Sequence, residues 1–222
     1  MTNTERITAN NAELREAIEM AETLPDIQNE TLEITKNGMY NVLSYHLVDV
    51  NVPDSGKEVA ALLGDTMTEL NNSIVKSLKA RACQGATKLV TVNLPLVTSL
   101  GSYAFYQCSG LVTVTLPKLT SVSTQTFYSC AKLQHADCGQ LGAMPAQTFN
   151  ACSSLTELIL RKTSSICTLA NANAISNSPI GKGTGYIYVP STLVETYKTA
   201  TNWSTFVNQF RAIEDYPDIC GG

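Results

Sequence analysis

The sequence predicts a β-rich solenoid, flanked by a short N-terminal helix with a small β module and by an α/β C-terminal cap. Three observations predict it. Apolar residues recur with a period of 22, without a gap, from residue 67 to residue 176. Within each period they alternate over a few positions and then stop, twice at a proline. Charged residues make up only 15 % of the 222-residue chain, while hydrophobic ones reach 44 %. An average globular protein is ~25 % charged, so Thr, Ser and Asn must cover the surface, as they do on the polar faces of β-structure. So hydrophobic a chain is not wholly disordered, and no apolar run approaches the ~18 residues of a membrane span.

The repeats come first. Steps of 22 from Leu89 reach Leu111, Leu133 and Leu155, and one step back reaches Met67. The fourth position of these five registers reads Leu70, Val92, Val114, Ala136 and Leu158; the twelfth reads Leu78, Leu100, Val122, Met144 and Ile166. Phe105, Phe127 and Phe149 form a column, and Cys108, Cys130 and Cys152 form another three residues on. A fixed period of this length means one supersecondary unit per repeat, each burying its apolar columns against its neighbours. Leu89–Pro95 and Leu111–Pro117 have the alternation of a short strand, ended by a proline that cannot donate to a ladder. A second apolar pair such as Val97 and Leu100 follows, then a turn carrying Ala104 and Phe105. At ~4.8 Å per stacked strand, five repeats rise roughly 25 Å.

The unit Leu-x-x-Val-x-Leu-Pro-x-x-x-Ser-Leu/Val-x-x-x-Ala/Thr-Phe-Tyr-x-Cys, present twice over 89–130, resembles BspA-type leucine-rich repeats. The resemblance covers about half of the chain and decays at both ends. Cys83 and Ala86 replace the Phe and Cys of the first register, Asn171 and Ala174 those of the fifth, and Gly139 and Arg161 stand where proline would. Terminal repeats face a cap or solvent, so such drift is expected there.

The flanks differ in kind. Asn10 followed by Glu13 is a capping-box start, Leu14, Ile18 and Ala21 recur at helical spacing, and Pro25 ends the helix. Residues 31–52 read as β-structure, with Lys36-Asn37-Gly38-Met39 as a hairpin turn and Val48, Val50 and Val52 in strict alternation. Residues 53–57 are the linker. Residues 34–40 with 48–53 resemble a small β module of tail proteins from bacteriophages and prophages of Gram-positive gut bacteria. After the repeats, residues 181–185 lead into a strand at Tyr186–Pro190, Ser191 is the expected N-cap of a short helix, and Trp203–Phe210 is a second short segment. This end also resembles those of phage-encoded BspA-type proteins. The division is therefore an attachment module over 1–52, a linker over 53–57, the solenoid over 58–176 and the cap over 177–222.

Charge and chemistry narrow the function. The net charge of −4 argues against a nucleic-acid binder. It is unevenly spread: residues 67–176 hold eight bases and three acids, a balance of +5, and the rest holds seven bases and sixteen acids, a balance of −9. A mildly basic middle suits an acidic partner. The first thirty residues lack the basic start and apolar centre expected of a signal peptide. Seven cysteines and two histidines include no Cys-x-x-Cys, so no zinc site is expected. Cys108, Cys130, Cys152 and Cys138 are expected in the core as small hydrophobes, rather than in disulfides between rungs. Gly181-Lys182-Gly183-Thr184 lacks the spacing of a phosphate loop and reads as a turn. Trp203 and the tyrosines near it could instead line a ligand cage.

Strand positions three and five should point outward, which places Thr91, Asn93, Thr113, Thr115, His135, Asp137 and Glu157, with Glu69, Asn71 and Ile159, on one exposed face. His135 and Asp137 lack the nucleophile and cleft that acid–base catalysis requires. No catalytic residue, metal or cofactor is expected, and the polar face is the candidate ligand-binding surface. The resemblances imply a phage or prophage tail component in the virion. Its N-terminal module would bind tail proteins or a second copy, and its solenoid would meet a host-surface glycan or protein. The alternative is an adhesin or interaction module at the bacterial cell surface.

Overall fold

A computed structural model describes residues 68–71 and 75–220. The predicted helix before Pro25, the β module over 31–52 and the linker over 53–57 lie outside the described residues. Each repeat contributes one three-residue strand to a long sheet and one two-residue strand to a second layer. The long-sheet strands are β1 (Glu69–Asn71), β3 (Thr91–Asn93), β5 (Thr113–Thr115), β7 (His135–Asp137) and β9 (Glu157–Ile159). The second-layer strands are β2 (Ser77–Leu78), β4 (Ser99–Leu100), β6 (Ser121–Val122), β8 (Ala143–Met144) and β10 (Thr168–Leu169). All pairs are parallel, and from β1 to β9 the long sheet pairs residues 22 apart, as Val92 with Val114 and Val114 with Ala136.

The inward columns fill the interior between the layers. Leu89, Leu111, Leu133 and Leu155 are fully buried, as are Leu94, Leu116, Cys138 and Leu160. Phe105, Phe127 and Phe149 stack with interplanar angles of 1° and centroid separations of 5.3 and 5.0 Å, close to the ~4.8 Å strand spacing. Each column thiol donates back to the preceding repeat: Cys108 Sγ to the Cys83 carbonyl (3.0 Å), Cys130 Sγ to Phe105 (3.1 Å) and Cys152 Sγ to Phe127 (3.1 Å). Cys83, Cys108, Cys130, Cys138, Cys152 and Cys167 are free and buried, as expected for the four column cysteines among them. Burial first, then hydrogen bonding to Cys108 and Cys152, pushes the Cys130 thiol well above its usual range. Burial does the same to Cys83 and Cys138, and lifts Cys167 to about 12. Such thiols carry no thiolate at neutral pH and are poor nucleophiles.

The turns between layers use backbone conformations that the sequence does not announce. Arg81, Tyr103, Gln125 and Gln147 all have φ between 54° and 63°. Gly85, Gln107, Ser129 and Ala151 form a second left-handed column four residues on, with φ between 58° and 76°. Only Gly85 carries the glycine that such angles favour. Backbone bonds run from rung to rung through these turns, such as Phe105 N–H to the Thr126 carbonyl (2.8 Å) and Gln107 N–H to the Tyr128 carbonyl (2.8 Å).

The fifth repeat departs from the expected register. Leu169, not Ile166, pairs with Met144 and is buried, because three exposed residues, Thr163, Ser164 and Ser165, lengthen the preceding turn. A further residue of slippage then puts Ile175 in the Phe column and Ser178 in the Cys column, where Asn171 and Ala174 were expected. Phe149 N–H bonds the Ala174 carbonyl, and Ser178 N–H bonds the Ile175 carbonyl as Cys152 N–H bonds that of Phe149.

The ladder also continues past residue 176. Strand β11 (Tyr186–Val189) pairs with β9, and β12 (Phe210–Ala212) pairs with β11, so the long sheet has seven strands among the described residues. Helix α1 (Val194–Thr199) lies between them and α2 (Pro217–Cys220) follows. Ser191 is not an N-cap: it opens a 3-10 turn, Ser191–Leu193, and its N–H donates to the Glu214 carboxylate (3.0 Å). That bond, together with the residue's own N–H, holds the Glu214 carboxyl below its usual pKa.

Strand β10 ends the second layer, so its outer edge lacks a strand neighbour among the described residues. Side chains take that neighbour's place. Cys167 N–H donates to the Tyr197 hydroxyl oxygen (2.7 Å), Trp203 Nε1–H donates to the Cys167 carbonyl (2.6 Å), and Asn202 Nδ2 donates to the Leu169 carbonyl (2.8 Å). Trp203 and Tyr197 are fully buried, packed edge to face at 5.6 Å. They seal the core and form no ligand cage.

Candidate binding face

Strand alternation turns the middle residue of each long-sheet strand inward and its neighbours outward. Thr91, Thr113 and Thr115 are partly exposed, and Glu69, Asn71 and Asn93 are exposed. Asn93 Nδ2 donates to Asn71 Oδ1 (3.4 Å) across neighbouring rungs. Over these three strands the face is flat, polar and open, as the alternation predicts. Further along, His135 Nδ1 lies 2.8 Å from Glu157 Oε2, with both side chains partly exposed.

Asp137 and Ile159 break the expected pattern. Both lie on the outward side, yet Asp137 retains 3 % exposure and Ile159 none. Asp137 Oδ2 accepts from Arg161 Nε (2.9 Å) and pairs with its Nη2 (2.8 Å), while Oδ1 accepts the Gly139 N–H (3.0 Å). The two residues that replace proline thus serve the carboxylate: Gly139 through its amide, Arg161 through its guanidinium. A Cβ at Gly139, with φ +42°, would stand 2.2 Å from the Pro117 carbonyl oxygen, so no larger residue fits. Ile159 and Tyr188 form a small apolar cluster, and Ile213, Tyr216 and Ile219 pack over it. The chain after β12 therefore closes the C-terminal part of the face. The signal missed was an isoleucine in a column otherwise filled by Asn, Thr and Asp.

Chemically, this face offers hydroxyls, amides and a histidine–carboxylate pair. It brings His135 beside Glu157, and it withdraws Asp137 into an ion pair with Arg161. Among the described residues no group of three or more His, Cys, Asp or Glu could hold a metal ion. No helix there is long and apolar enough to cross a membrane. Residues 181–184 form a turn with no strand-to-helix context, their N–H groups bonding back to Ser178, Pro179 and Ile180.

Parallel strands stacked around columns of leucine and phenylalanine, with one polar face, define the leucine-rich repeat class, a generally non-enzymatic binding fold. Within that class, the family described as BspA type Leucine rich repeat region matches residues 76–202 in six copies. That is more than half of the sequence, and the chain belongs to this family. No curated protein matches it. Solved structures are also similar, two of which follow. The leucine-rich repeat protein TpLRR of T. pallidum is 22 % identical, with a TM-score of 0.47, over 58 % of this chain and 60 % of that one. The pneumococcal vaccine antigen PcpA is 15 % identical, with a TM-score of 0.39, over 65 % of this chain and 44 % of that one. The chain spans less than two thirds of either.

Proposed function

We propose that this chain is a non-enzymatic binding module that presents the open part of its long sheet to a ligand on a host surface. The observation that carries the reading is that face: three adjacent strands of outward Thr and Asn held flat on a fully packed core. Thr91, Asn93, Thr113 and Thr115 are the central contacts, with His135 and Glu157 at one border. Asp137, on the same side, is taken up by its ion pair with Arg161. The buried thiols, whose pKa values burial raises, favour binding over turnover. No cofactor is required.

The resemblance of residues 34–40 and 48–53 to phage tail modules supports placing the protein in a bacteriophage or prophage tail. There the N-terminal part joins other tail proteins or a second copy. Mass spectrometry of purified particles tests this: the protein is expected in the virion, and particles lacking it refute the placement. Release of the protein by protease treatment of intact bacteria would instead support a cell-surface adhesin. Binding is tested with host-surface extracts immobilised against the wild type and T113A/T115A. The double variant is expected to lose binding while unfolding at the same temperature.

A further inference from the structure

Charge around the repeats is segregated. Their three acidic residues, Glu69, Asp137 and Glu157, all belong to the long sheet. The turns over 79–88, 101–110, 123–132 and 145–154 contain Lys79, Arg81, Lys88 and Lys132 and no Asp or Glu. All four bases are exposed. These turns stack into one ridge, since Arg81 N–H donates to the Ser102 carbonyl (2.8 Å), Tyr103 N–H to Thr124 (3.3 Å) and Ser129 N–H to Asn150 (2.9 Å).

The ridge is also where the repeats place their tyrosines. Tyr103, Tyr106 and Tyr128 are partly exposed. Tyr106 stacks on Tyr128 at 5.3 Å and 9°, Tyr103 meets Tyr106 edge on at 5.5 Å, and the Arg81 guanidinium lies 5.6 Å from the Tyr103 ring. Beside them Gln125 Nε2 donates to Gln147 Oε1 (2.7 Å). The ridge thus carries cations in its first and third turns beside a run of phenol rings and amides.

We infer that this ridge binds an anionic polysaccharide. Cations in turns that themselves hold no acid attract negative charge. Phenol and amide groups at rung intervals match a periodic polymer rich in hydroxyls. A protein partner is less well served: it would need apolar anchors in desolvated pockets. Among the described residues the large exposed hydrophobics, Val90, Tyr186 and Val207, lie off the ridge. A nucleic-acid strand would need open aromatic faces for its bases, whereas Tyr106 and Tyr128 turn faces toward each other. The inference rests on the chain being a binding module, but it uses a surface other than the sheet face.

The full chain is tested at low and moderate salt against immobilised hyaluronan and dextran sulfate, with neutral dextran, poly-glutamate and poly(dT) for comparison. At least one anionic polysaccharide is expected to bind more tightly than all three comparison polymers, and to weaken with salt. K79Q/R81Q is expected to lose about fivefold in affinity, as two exposed ion pairs would contribute. K88Q/K132Q, at the other border of the turns, is expected to lose a similar amount, which separates charge from any effect of the Arg81–Tyr103 contact on folding. T113A/T115A is expected to bind as the wild type does. The inference is overturned if neither anionic polysaccharide exceeds dextran, if poly-glutamate or poly(dT) binds as tightly, or if both charge variants bind unchanged. Loss of binding only in T113A/T115A also overturns it, while leaving the sheet-face reading intact.

Discussion

Replacing Tyr197 by Phe removes one oxygen atom and isolates the role of side chains at the edge of β10. That oxygen accepts the Cys167 N–H at 2.7 Å, and both residues are fully buried. The phenyl ring would keep its packing against Trp203 at 5.6 Å and Phe210 at 5.3 Å. The change therefore leaves a buried amide without its acceptor, which costs about 1–3 kcal/mol. Relief from burying a phenol hydroxyl offsets part of this, so we expect a loss of about 1–2 kcal/mol. Urea unfolding measures it, with an unchanged slope showing that the exposed surface is the same. Hydrogen exchange gives the site-specific check, because the Cys167 amide should exchange faster in Y197F than in the wild type. A loss below about 0.5 kcal/mol with unchanged Cys167 exchange would refute the idea that side chains substitute for a missing strand.

Gly139→Ala places a Cβ 2.2 Å from the Pro117 carbonyl oxygen at a φ of +42°, and left-handed strain plus overpacking should cost about 2–5 kcal/mol in thermal unfolding. Phe127→Ala, which empties the middle of the phenylalanine stack, should cost about 3–5 kcal/mol, whereas Thr113→Ala on the open face should cost under ~0.5 kcal/mol; similar losses from the two would contradict the facing of the columns. Stability should fall as pH rises above about 8.5. The unfolded chain then releases thiol and phenol protons that Cys83, Cys130, Cys138, Cys167 and Tyr197 retain when buried, so the native state binds more protons. Urea midpoints at pH 7 and pH 10 that coincide would contradict this.

The periodic part of the fold is legible in the sequence because every rung asks the same of each column. Val114 meets Val92, Phe127 meets Phe105 and Phe149, and Cys130 meets Cys108 and Cys152, each one period away, so spacing alone identifies their neighbours. Three things escape such reading. The added residues at Thr163–Ser165 have no counterpart in other repeats, so a fixed count runs past them to Ile166 instead of Leu169. The left-handed columns carry Arg81, Tyr103, Gln125 and Gln147 rather than glycine, and bonds between rungs hold Arg81 and Tyr103 in a conformation their side chains do not favour. The covering of Ile159 depends on Ile213, Tyr216 and Ile219, more than fifty residues away and outside any period. Asp137 lies between these cases: its partner Arg161 and the glycine beside it were visible as breaks in the proline column, but alternation alone placed the carboxylate in solvent.

The common register of β3, β5 and β7 has an evolutionary consequence. Residues 89–110 and 111–132 present the same backbone bonds to the rung before and the rung after, such as Leu94 N–H to Thr115 and Leu116 N–H to Asp137. Duplicating either segment would insert a rung without disturbing the residues that seal β10 or cover Ile159. Since repeat stability is a sum over nearest neighbours, the gene can lengthen in units of 66 nucleotides, three for each of the 22 residues that separate the paired strands. Each unit would move the two ends of the ladder apart by ~4.8 Å. The length of the ladder is thus a quantity that unequal recombination can adjust stepwise while both of its ends keep their own sequences.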